Sequence, residues 1–213
     1  TVDLISNQTS VTEGETTTTY TGVPFGTAGI GTIIYVNGDV TSLGGTIQRN
    51  TELTISAEDD VVFTDHVRYS DYTPESGTPG DPGYQPPNAD GAENVLGVVS
   101  WGGDIRVGTA APDDLDIHGV LMAHLGQFTV DNYDAGSPRG VCTLLGGSIS
   151  QFYGAFGQFN GSTGVQISGF GRNFVYDGRM LQGKTPPYFP TLRTFVAFTN
   201  DITDNIVYWE GSY

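Results

Sequence analysis

The sequence contains little cysteine, lysine or methionine, and it has no long apolar run. Cys142 is the only cysteine among 213 residues, which excludes a disulfide framework within the chain. It lies in the apolar stretch "GVCTLLGG", so we expect a small buried core side chain rather than a nucleophile. No stretch has the length of a transmembrane helix, and this segment is therefore not expected to insert directly into a membrane.

Basic residues are also scarce. The chain has 24 acidic residues against 8 lysines and arginines, and its formal net charge is −16. Such a surface does not attract DNA or an anionic membrane at long range, because phosphate contacts need clustered basic side chains. The charge fits an exposed, soluble surface or the binding of cations. DNA would have to be bound by a local basic patch or through a partner.

What the chain does contain is glycine and strand-forming residues. There are 31 glycines, which is about twice the usual share, and valine, threonine and tyrosine are frequent. Stretches such as "LTISAEDDVVF" (53–63) alternate with a period near two, which indicates strands, and helical heptads are absent. Composition and pattern together predict an all-β fold.

Five stretches share one pattern, in which a short kink of glycine or of small and acidic residues joins two apolar strands. They lie at 33–40, 53–63, 96–107, 119–130 and 142–152, with Gly38, Ala57, Trp101, Ala123 and Gly147 at the kinks. Once a proline- and glycine-rich insertion at 70–94 is subtracted, their period is close to twenty residues. Such a period is typical of β-solenoids, in which each coil buries its apolar side against the next. We therefore predict a single-stranded β-solenoid (β-helix) of about five to six coils, with a β-sandwich as the alternative.

The domain organisation follows from the same pattern. The predicted solenoid spans 31–180 and carries an inserted loop at 70–94 that is rich in proline, glycine and acids. Residues 1–30 are polar and threonine-rich, and we expect an N-terminal arm or cap. The segment 181–213 begins with a Pro-rich stretch and ends in two closing strands.

Three aspartates are candidates for a metal site. Asp39, Asp60 and Asp104 each precede an apolar strand residue, so stacked coils would place them in a column about 4.8 Å apart. Like charges at that spacing repel one another, and Ca²⁺ would relieve the repulsion by binding the hard oxygen ligands. Alternatively, each carboxylate accepts a hydrogen bond from a turn N–H and faces water.

Two further groups are candidates for ligand contact. Loops held by a rigid scaffold commonly carry recognition, and tyrosines give contact area at low entropic cost. The candidates in the inserted loop are Tyr72, Asp81, Tyr84 and Asp90, and flexible decoration is the alternative for this loop. The second group is an aromatic cluster formed by Phe152, Tyr153, Phe156 and Phe159. If these rings are exposed, they could stack on sugars or bases. If they are buried, they would instead stack on one another inside the solenoid.

Several ordered segments carry a family resemblance, among them "IYVNGDV", "LTISAEDDVVFTDHVRY", "NVLGVVSWGGDIRV", "YGAFG" and "VYDGRM". Over about residues 31 to 213 the chain resembles an uncharacterised bacterial domain family associated with PilX-like type IV minor pilins. It also resembles the β-solenoid portion of a competence-associated tip pilin. The chain departs from the family pattern by lacking a basic residue near 153–157 and a proline at Gly178. The resemblance implies an extracellular or cell-surface location on a bacterium, other pilus subunits as partners, and no catalytic residues.

The residues and the resemblance together predict a non-catalytic, pilus-associated protein. Its loops would serve adhesion or the capture of an external ligand such as DNA or a polysaccharide. Two alternatives stay open, namely a Ca²⁺-dependent polysaccharide lyase or glycoside hydrolase of the β-helix type, and a self-assembling extracellular filament subunit. No strong local motif pairs the few basic residues with acids, which disfavours the enzyme. Ca²⁺ is the one candidate cofactor.

Overall fold

A computed structural model of the chain describes residues 2–3, 6, 8–13, 15–21, 31–88, 93–190, 193–196 and 207–210. The described residues are predominantly strand. The strands are β1 (Val2–Asp3), β2 (Gln8–Glu13), β3 (Thr16–Thr21), β4 (Thr32–Val36), β5 (Val40–Ile47), β6 (Glu52–Ala57), β7 (Val61–Tyr69), β8 (Val95–Ser100), β9 (Ile105–Val107), β10 (Asp116–Val130), β11 (Pro138–Phe152), β12 (Gly157–Phe159), β13 (Gln166–Val175), β14 (Arg193–Val196) and β15 (Val207–Glu210). A short 3₁₀ helix spans Gly178–Gln182. The described part of the chain contains no helix with the length and apolarity that a bilayer crossing requires.

Strands β4 to β13 form one mixed ten-stranded sheet. Its main path runs β12-β13-β11-β10-β8-β6-β4, and β5, β7 and β9 form a branch that joins this path at β10. The described pairings in this sheet are parallel apart from the antiparallel pairing of β12 with β13. The prediction of a single-stranded β-solenoid is therefore wrong, because the chain forms a mixed sheet that is neither closed nor curled.

The kink positions proposed from the sequence account for this error. Ala123 and Gly147 lie inside β10 and β11, which are strands of 15 residues each, although the pairing of β10 with β11 is irregular between Ala123 and Gln127. The first half of β10 pairs with β8 and its second half pairs with β9, so one long strand joins the two branches of the sheet. Glycine and small residues weaken a strand and allow a bend, but they do not impose one.

The hydrophobic core draws on both branches of the sheet. The parallel register places Leu43 beside Phe63, Phe63 beside Val107 and Val107 beside Val130, so apolar side chains form rows across neighbouring strands. One cluster of buried residues takes members from β6 to β11 and from β13. Burial of apolar area, about 25 cal/mol per Å², is the main favourable contribution to stability here.

The Pro-rich stretch after the 3₁₀ helix packs back against the sheet. Phe189 forms a second buried cluster with Val99 and Val120. Gly97 makes this approach possible, because a β-carbon at that position would lie only 2.7 Å from the Phe189 ring and 2.8 Å from Pro186. The segment thus covers apolar side chains of β8 and β10.

Two smaller sheets lie near the chain termini in sequence. Strands β1, β2 and β3 pair antiparallel in that order, and threonine and serine hydroxyls bond across β2 and β3, as between Thr12 and Thr17 at 2.8 Å. Such cross-strand hydroxyl pairs suit the threonine-rich composition of this region. The two C-terminal stretches predicted to be strands pair antiparallel as β14 and β15.

Candidate functional site

The three aspartates proposed for Ca²⁺ directly precede three neighbouring strands, β5, β7 and β9. Val40 is opposite Val61, and Val61 is opposite Ile105, so the preceding residues Asp39, Asp60 and Asp104 follow one another across the sheet. Each carboxylate accepts a backbone N–H from the next strand. The Asp60 N–H donates to Asp39 Oδ1 (2.9 Å), the Asp104 N–H to Asp60 Oδ1 (2.7 Å), and the Gln127 N–H to Asp104 Oδ1 (2.9 Å).

These hydrogen bonds give the aspartate column a structural role. The positive charge of Arg106 reduces the repulsion between the carboxylates, because its guanidinium lies 2.9 Å from Asp60 Oδ2. Charge-assisted bonds of this kind are about twice as strong as neutral ones. No group of three His, Cys, Asp or Glu residues in the described ranges is arranged to hold a metal. Calcium binding by the column stays a prediction.

The inserted loop at 70–94 has an ordered base. The Thr73 N–H donates to Asn88 Oδ1 (3.1 Å), and the Asn88 N–H donates to the Thr73 carbonyl (2.9 Å). Further out, Ser76 and Gln85 form an antiparallel bridge. Between them the chain reverses over glycines with positive φ, such as Gly80 at 95°. The described part of the loop is therefore hairpin-like rather than extended.

The four loop residues proposed for ligand contact have different environments. The ring of Tyr72 packs on His118 with a centroid distance of 4.7 Å, and Asp81 is exposed near the reversal. The Tyr84 hydroxyl donates to Glu75 Oε2 at 3.0 Å. Asp90 lies outside the described residues. The structure thus places Tyr72 at the base of the hairpin and Asp81 and Tyr84 farther out.

A buried ion pair holds the loop to the sheet. The Arg179 guanidinium donates from Nε to Asp177 Oδ1 (3.0 Å) and from a terminal nitrogen to Oδ2 (2.6 Å), and both side chains are buried. Arg179 also donates to the Asn94 carbonyl at 2.7 Å. Asn88, whose side chain closes the loop base, lies 3.4 Å from Asp177 Oδ2. The C-terminal part of the inserted loop is therefore tied to one charged pair, and the Thr73–Asn88 hydrogen bonds link it to the start of the loop.

His118 lies in the same region and is kept neutral by its surroundings. Its Nδ1 accepts the backbone N–H of Tyr69 at 3.0 Å, so this nitrogen has no proton. Burial lowers the pKa of His118 to about 4, and the positive charge of Arg68 adds to this effect, whereas Asp116 opposes it. Burial also raises the pKa of Tyr69 to about 12.

The lowered pKa of His118 predicts a loss of stability in mild acid. The unfolded chain binds this proton at pH about 6.5 and the folded chain only at about 4. The contribution of His118 to the free energy of unfolding is therefore fully present above pH 6.5. It is lost as the pH falls towards 4, and the loss reaches up to about 3 kcal/mol. We expect His118→Asn, whose amide oxygen can still accept the Tyr69 N–H, to remove this part of the pH dependence.

Urea unfolding between pH 7.5 and 4.5 measures the effect as the difference between wild type and variant. His124→Asn, at a histidine that packs on Trp101 instead, controls for the loss of an imidazole. If the His118→Asn variant and the wild type lose stability in parallel, His118 is not the source.

The single cysteine has no nucleophilic character. Cys142 is buried, and its burial raises the pKa of the thiol to about 12. The thiolate, which is the reactive form, is therefore absent at neutral pH. The prediction of a small core side chain is confirmed.

A cleft of about 220 Å³ is formed by β10, β11, β13 and the turn before β12. We call it the aromatic cleft. Its rings are Phe128, Tyr153, Phe156 and Phe174, and its polar groups come from Ser148, Ser150, Gly154 and Arg172. The rings contact one another, since Phe128 meets Phe156 edge-on at 4.9 Å and Phe174 in a stacked arrangement at 6.0 Å.

Backbone contacts fix the turn that carries Tyr153. The Val130 N–H (3.0 Å) and the Thr129 hydroxyl (2.8 Å) both donate to the Ala155 carbonyl, which ties the turn to the end of β10. Gly154 is needed at this point because a β-carbon there would collide with the Phe128 carbonyl. The position of Tyr153 at the cleft is therefore set by the main chain.

The aromatic cluster predicted from the sequence divides into two kinds. Phe156 is buried, whereas Phe152, Tyr153 and Phe159 are exposed, Tyr153 to 85%. Sequence reasoning missed Phe128, Arg172 and Phe174, which reach the cleft from other strands. The pairing of β11 with β13 brings Arg172 and Phe174 there, and the pairing of β10 with β11 brings Phe128. No local motif signals these pairings.

Arg172 differs from the other described basic side chains. Its guanidinium lies 4.3 Å from the ring centroids of both Tyr153 and Phe156, and it donates to the Tyr153 hydroxyl and the Gly154 carbonyl. No carboxylate lies within ion-pair distance of it in the described part of the chain. The basic residues with acidic partners are Arg49, Arg68, Arg106, Arg139, Arg179 and Lys184.

The cleft therefore combines the exposed rings of Tyr153 and Phe174 with hydroxyls and one guanidinium, which are groups that hold ligands in binding pockets. Among the described residues, no carboxylate or histidine lines it. Searches against protein-family models, curated proteins and solved structures gave no match for this chain.

Proposed function

We propose that this chain is a non-catalytic binding module of a bacterial cell surface, which uses its aromatic cleft for adhesion or for capture of an external ligand. The observation that carries the proposal is the set of exposed rings around the cleft. Aromatic faces give large contact area with little loss of conformational freedom, and neighbouring polar groups fix the orientation of a ligand. Sugar rings, whose C–H faces stack on aromatic side chains, are the ligand class that fits these groups.

The setting of this function is taken from the family resemblance. In that setting the chain is carried on a type IV pilus among other pilus subunits, and the cleft meets the external ligand. Parallel ladders of backbone hydrogen bonds support the cleft, and a scaffold of this kind keeps a binding site preorganised. The hairpin formed by 73–88, which the buried ion pair ties down, is a second surface presented by the same sheet.

The acidic surface bears on the choice of ligand. A net charge of −16 disfavours approach of DNA, and one arginine in the cleft does not make a basic patch. A polysaccharide carries far less charge per unit length than DNA, and a stacking site needs few cations to hold it. We therefore place polysaccharide ahead of DNA as the external ligand.

Removing an exposed ring from the cleft is expected to weaken binding while leaving the fold intact. We expect Tyr153→Ala and Phe174→Ala each to weaken binding to an immobilised polysaccharide by about tenfold or more, as is usual for central aromatic contacts. The measurement is retention on a panel of cellulose, chitin, xylan, polygalacturonate and hyaluronan. Tyr35→Ala is the matched control, since Tyr35 is an exposed ring on β4, away from the cleft.

Three results would contradict the proposal. If none of the polysaccharides retained the protein, polysaccharides would be ruled out as its ligand class. Equal retention of the wild type and both cleft variants would place binding elsewhere. Release of shortened or unsaturated sugars from any polymer would favour the lyase or hydrolase alternative over a binding module.

A further inference from the structure

We infer that the aromatic cleft is specific for a sugar acid, and that Arg172 binds the carboxylate of that sugar. The inference rests on the proposed function and deepens it by naming the ligand class. It depends on charge, on the geometry of the guanidinium and on the size of the cleft.

Among the described residues, no carboxylate pairs with Arg172. The chain has 24 acids, and the other described basic side chains each lie within 4 Å of a carboxylate. Arg172 instead contacts two rings, a phenol and a carbonyl. In so acidic a protein, a cation at a cleft without an acidic partner is a site for an external anion.

The guanidinium is held in place before any ligand arrives. Tyr153 and Phe156 each place a ring centroid 4.3 Å from its central carbon, and stacking of this kind fixes the guanidinium plane. An arginine has five N–H donors, and the hydrogen bonds to Tyr153 and Gly154 engage two of its nitrogens. The remaining donors suit a carboxylate, which arginine can bind through two parallel hydrogen bonds.

The cleft has the size and the lining for one sugar ring. Its volume of about 220 Å³ is below the roughly 300–1,000 Å³ typical of pockets for larger ligands. Phe174 offers an apolar face, and the Ser148 hydroxyl lines the cleft as a donor or acceptor for sugar hydroxyls. The Ser150 hydroxyl donates to the Phe152 carbonyl at 2.9 Å and can accept from a sugar hydroxyl. A ring with a carboxylate at one end uses both the apolar and the cationic part of the cleft.

A nucleic acid fits the groups of the cleft less well than a sugar acid does. Base stacking would occupy the rings, but a strand also needs several cations along its phosphates. Among the described residues, Arg172 is the one basic side chain that lines the cleft, and the chain as a whole has a net charge of −16. A sugar acid carries one carboxylate on each sugar ring, which matches the single guanidinium of Arg172.

The test compares each acid with its methyl ester, which keeps the sugar and removes the charge. Tetramers of galacturonate and glucuronate, and sialyllactose, are titrated into the full chain by calorimetry, each beside its methyl ester. We expect at least one acid to bind the wild type about 10- to 100-fold more tightly than its ester, the usual strength of a charged hydrogen-bonded pair. This arm uses unaltered protein, so it does not depend on the folding of a variant.

Substitutions then assign the preference to one residue. We expect Arg172→Gln to bind acid and ester equally, and Arg172→Lys to keep part of the preference through its point charge. Arg68→Gln is the matched control, because Arg68 is paired with Asp116 and lies outside the cleft, and it should keep the full preference. Circular dichroism and thermal unfolding establish that each variant is folded.

The outcomes separate this inference from the proposed function. Equal binding of acid and ester by the wild type overturns the specificity for sugar acids, while binding itself would still support the module. A preference that survives in folded Arg172→Gln overturns the role of Arg172 alone. Binding of neutral polysaccharides but of no acid overturns the inference and leaves the proposed function standing. Self-association through the cleft, lost in Phe174→Ala and accompanied by no sugar binding, overturns both.

Discussion

Replacing Asp177 by alanine is expected to lower the free energy of unfolding by about 3–5 kcal/mol, the usual cost of breaking a buried ion pair on one side. The substitution leaves Arg179 charged and buried without its carboxylate. It also removes the acceptor of the Arg179 N–H at the start of the 3₁₀ helix (3.1 Å) and the partner of the Asn88 amide. The substitution is therefore expected both to lower the stability of the whole domain and to loosen the attachment of the loop at 70–94.

Two controls show whether the cost comes from the unpaired charge. Asp113→Ala makes the same change in an exposed pair, where Asp113 lies 3.0 Å from Arg139 with 68% of its side chain exposed. We expect a loss below about 1 kcal/mol there. The double variant Asp177→Asn/Arg179→Met removes both charges and is expected to recover part of the loss.

Urea unfolding gives the stabilities, and limited proteolysis with chymotrypsin reports on the loop through cleavage near Tyr84. We expect Asp177→Ala to be cut there faster than the wild type under native conditions, because local opening precedes cleavage. A double variant as unstable as Asp177→Ala would show that packing, and not the lone charge, sets the cost. Unchanged proteolysis would show that Asp177 does not hold the loop.

The Asp177–Arg179 pair also shows what the sequence does not reveal. The two residues are two apart in "YDGRM", and nothing local distinguishes them from an exposed acid and base. Their burial depends on Asn88 and Asn94, which arrive from the far end of the inserted loop. Pairs made by long-range packing leave no periodic signal, so the anchor of the loop was not predictable.

The strands were predictable and their arrangement was only partly so. Alternating apolar residues predicted strands at 33–40, 53–63 and 96–107, and each stretch contains strand. Aligning them also placed Asp39, Asp60 and Asp104 directly before neighbouring strands, because the residues that follow them pair in the sheet. Whether a strand bends at a small residue depends on its neighbours, and this is why β10 and β11 continue through their proposed kinks.

The aromatic cleft was predictable only in its local part. The stretch 152–159 drew attention because four of its residues are aromatic, and three of them are exposed. Phe128 and Arg172 reach the same place only through the pairing of distant strands. The absence of an acidic partner for Arg172, the feature that points to the ligand, is a property of three-dimensional packing. A sequence gives the number of charges but not their pairing.

Truncating Phe63 to alanine is expected to destabilise the protein by about 3–5 kcal/mol, because the change removes a large buried ring and leaves a cavity. Phe63 is fully buried on β7 and lies between Leu43 and Val107 in the register. Backbone hydrogen bonds hold the neighbouring parallel strands, so they can move little to fill the space. For a domain of this size the melting temperature should fall by on the order of 10 °C.

The matched control is Phe159→Ala, which makes the same chemical change at a ring that is 49% exposed. We expect a loss below about 1 kcal/mol there, since little apolar area is returned to water and no enclosed cavity forms. Phe63→Leu should fall between the two, because it keeps most of the side-chain volume. Differential scanning calorimetry and urea unfolding measure all three variants. Equal losses for Phe63→Ala and Phe159→Ala would show that the row across β5, β7 and β9 is not the centre of the core, and stability would then have to come from the backbone ladders themselves.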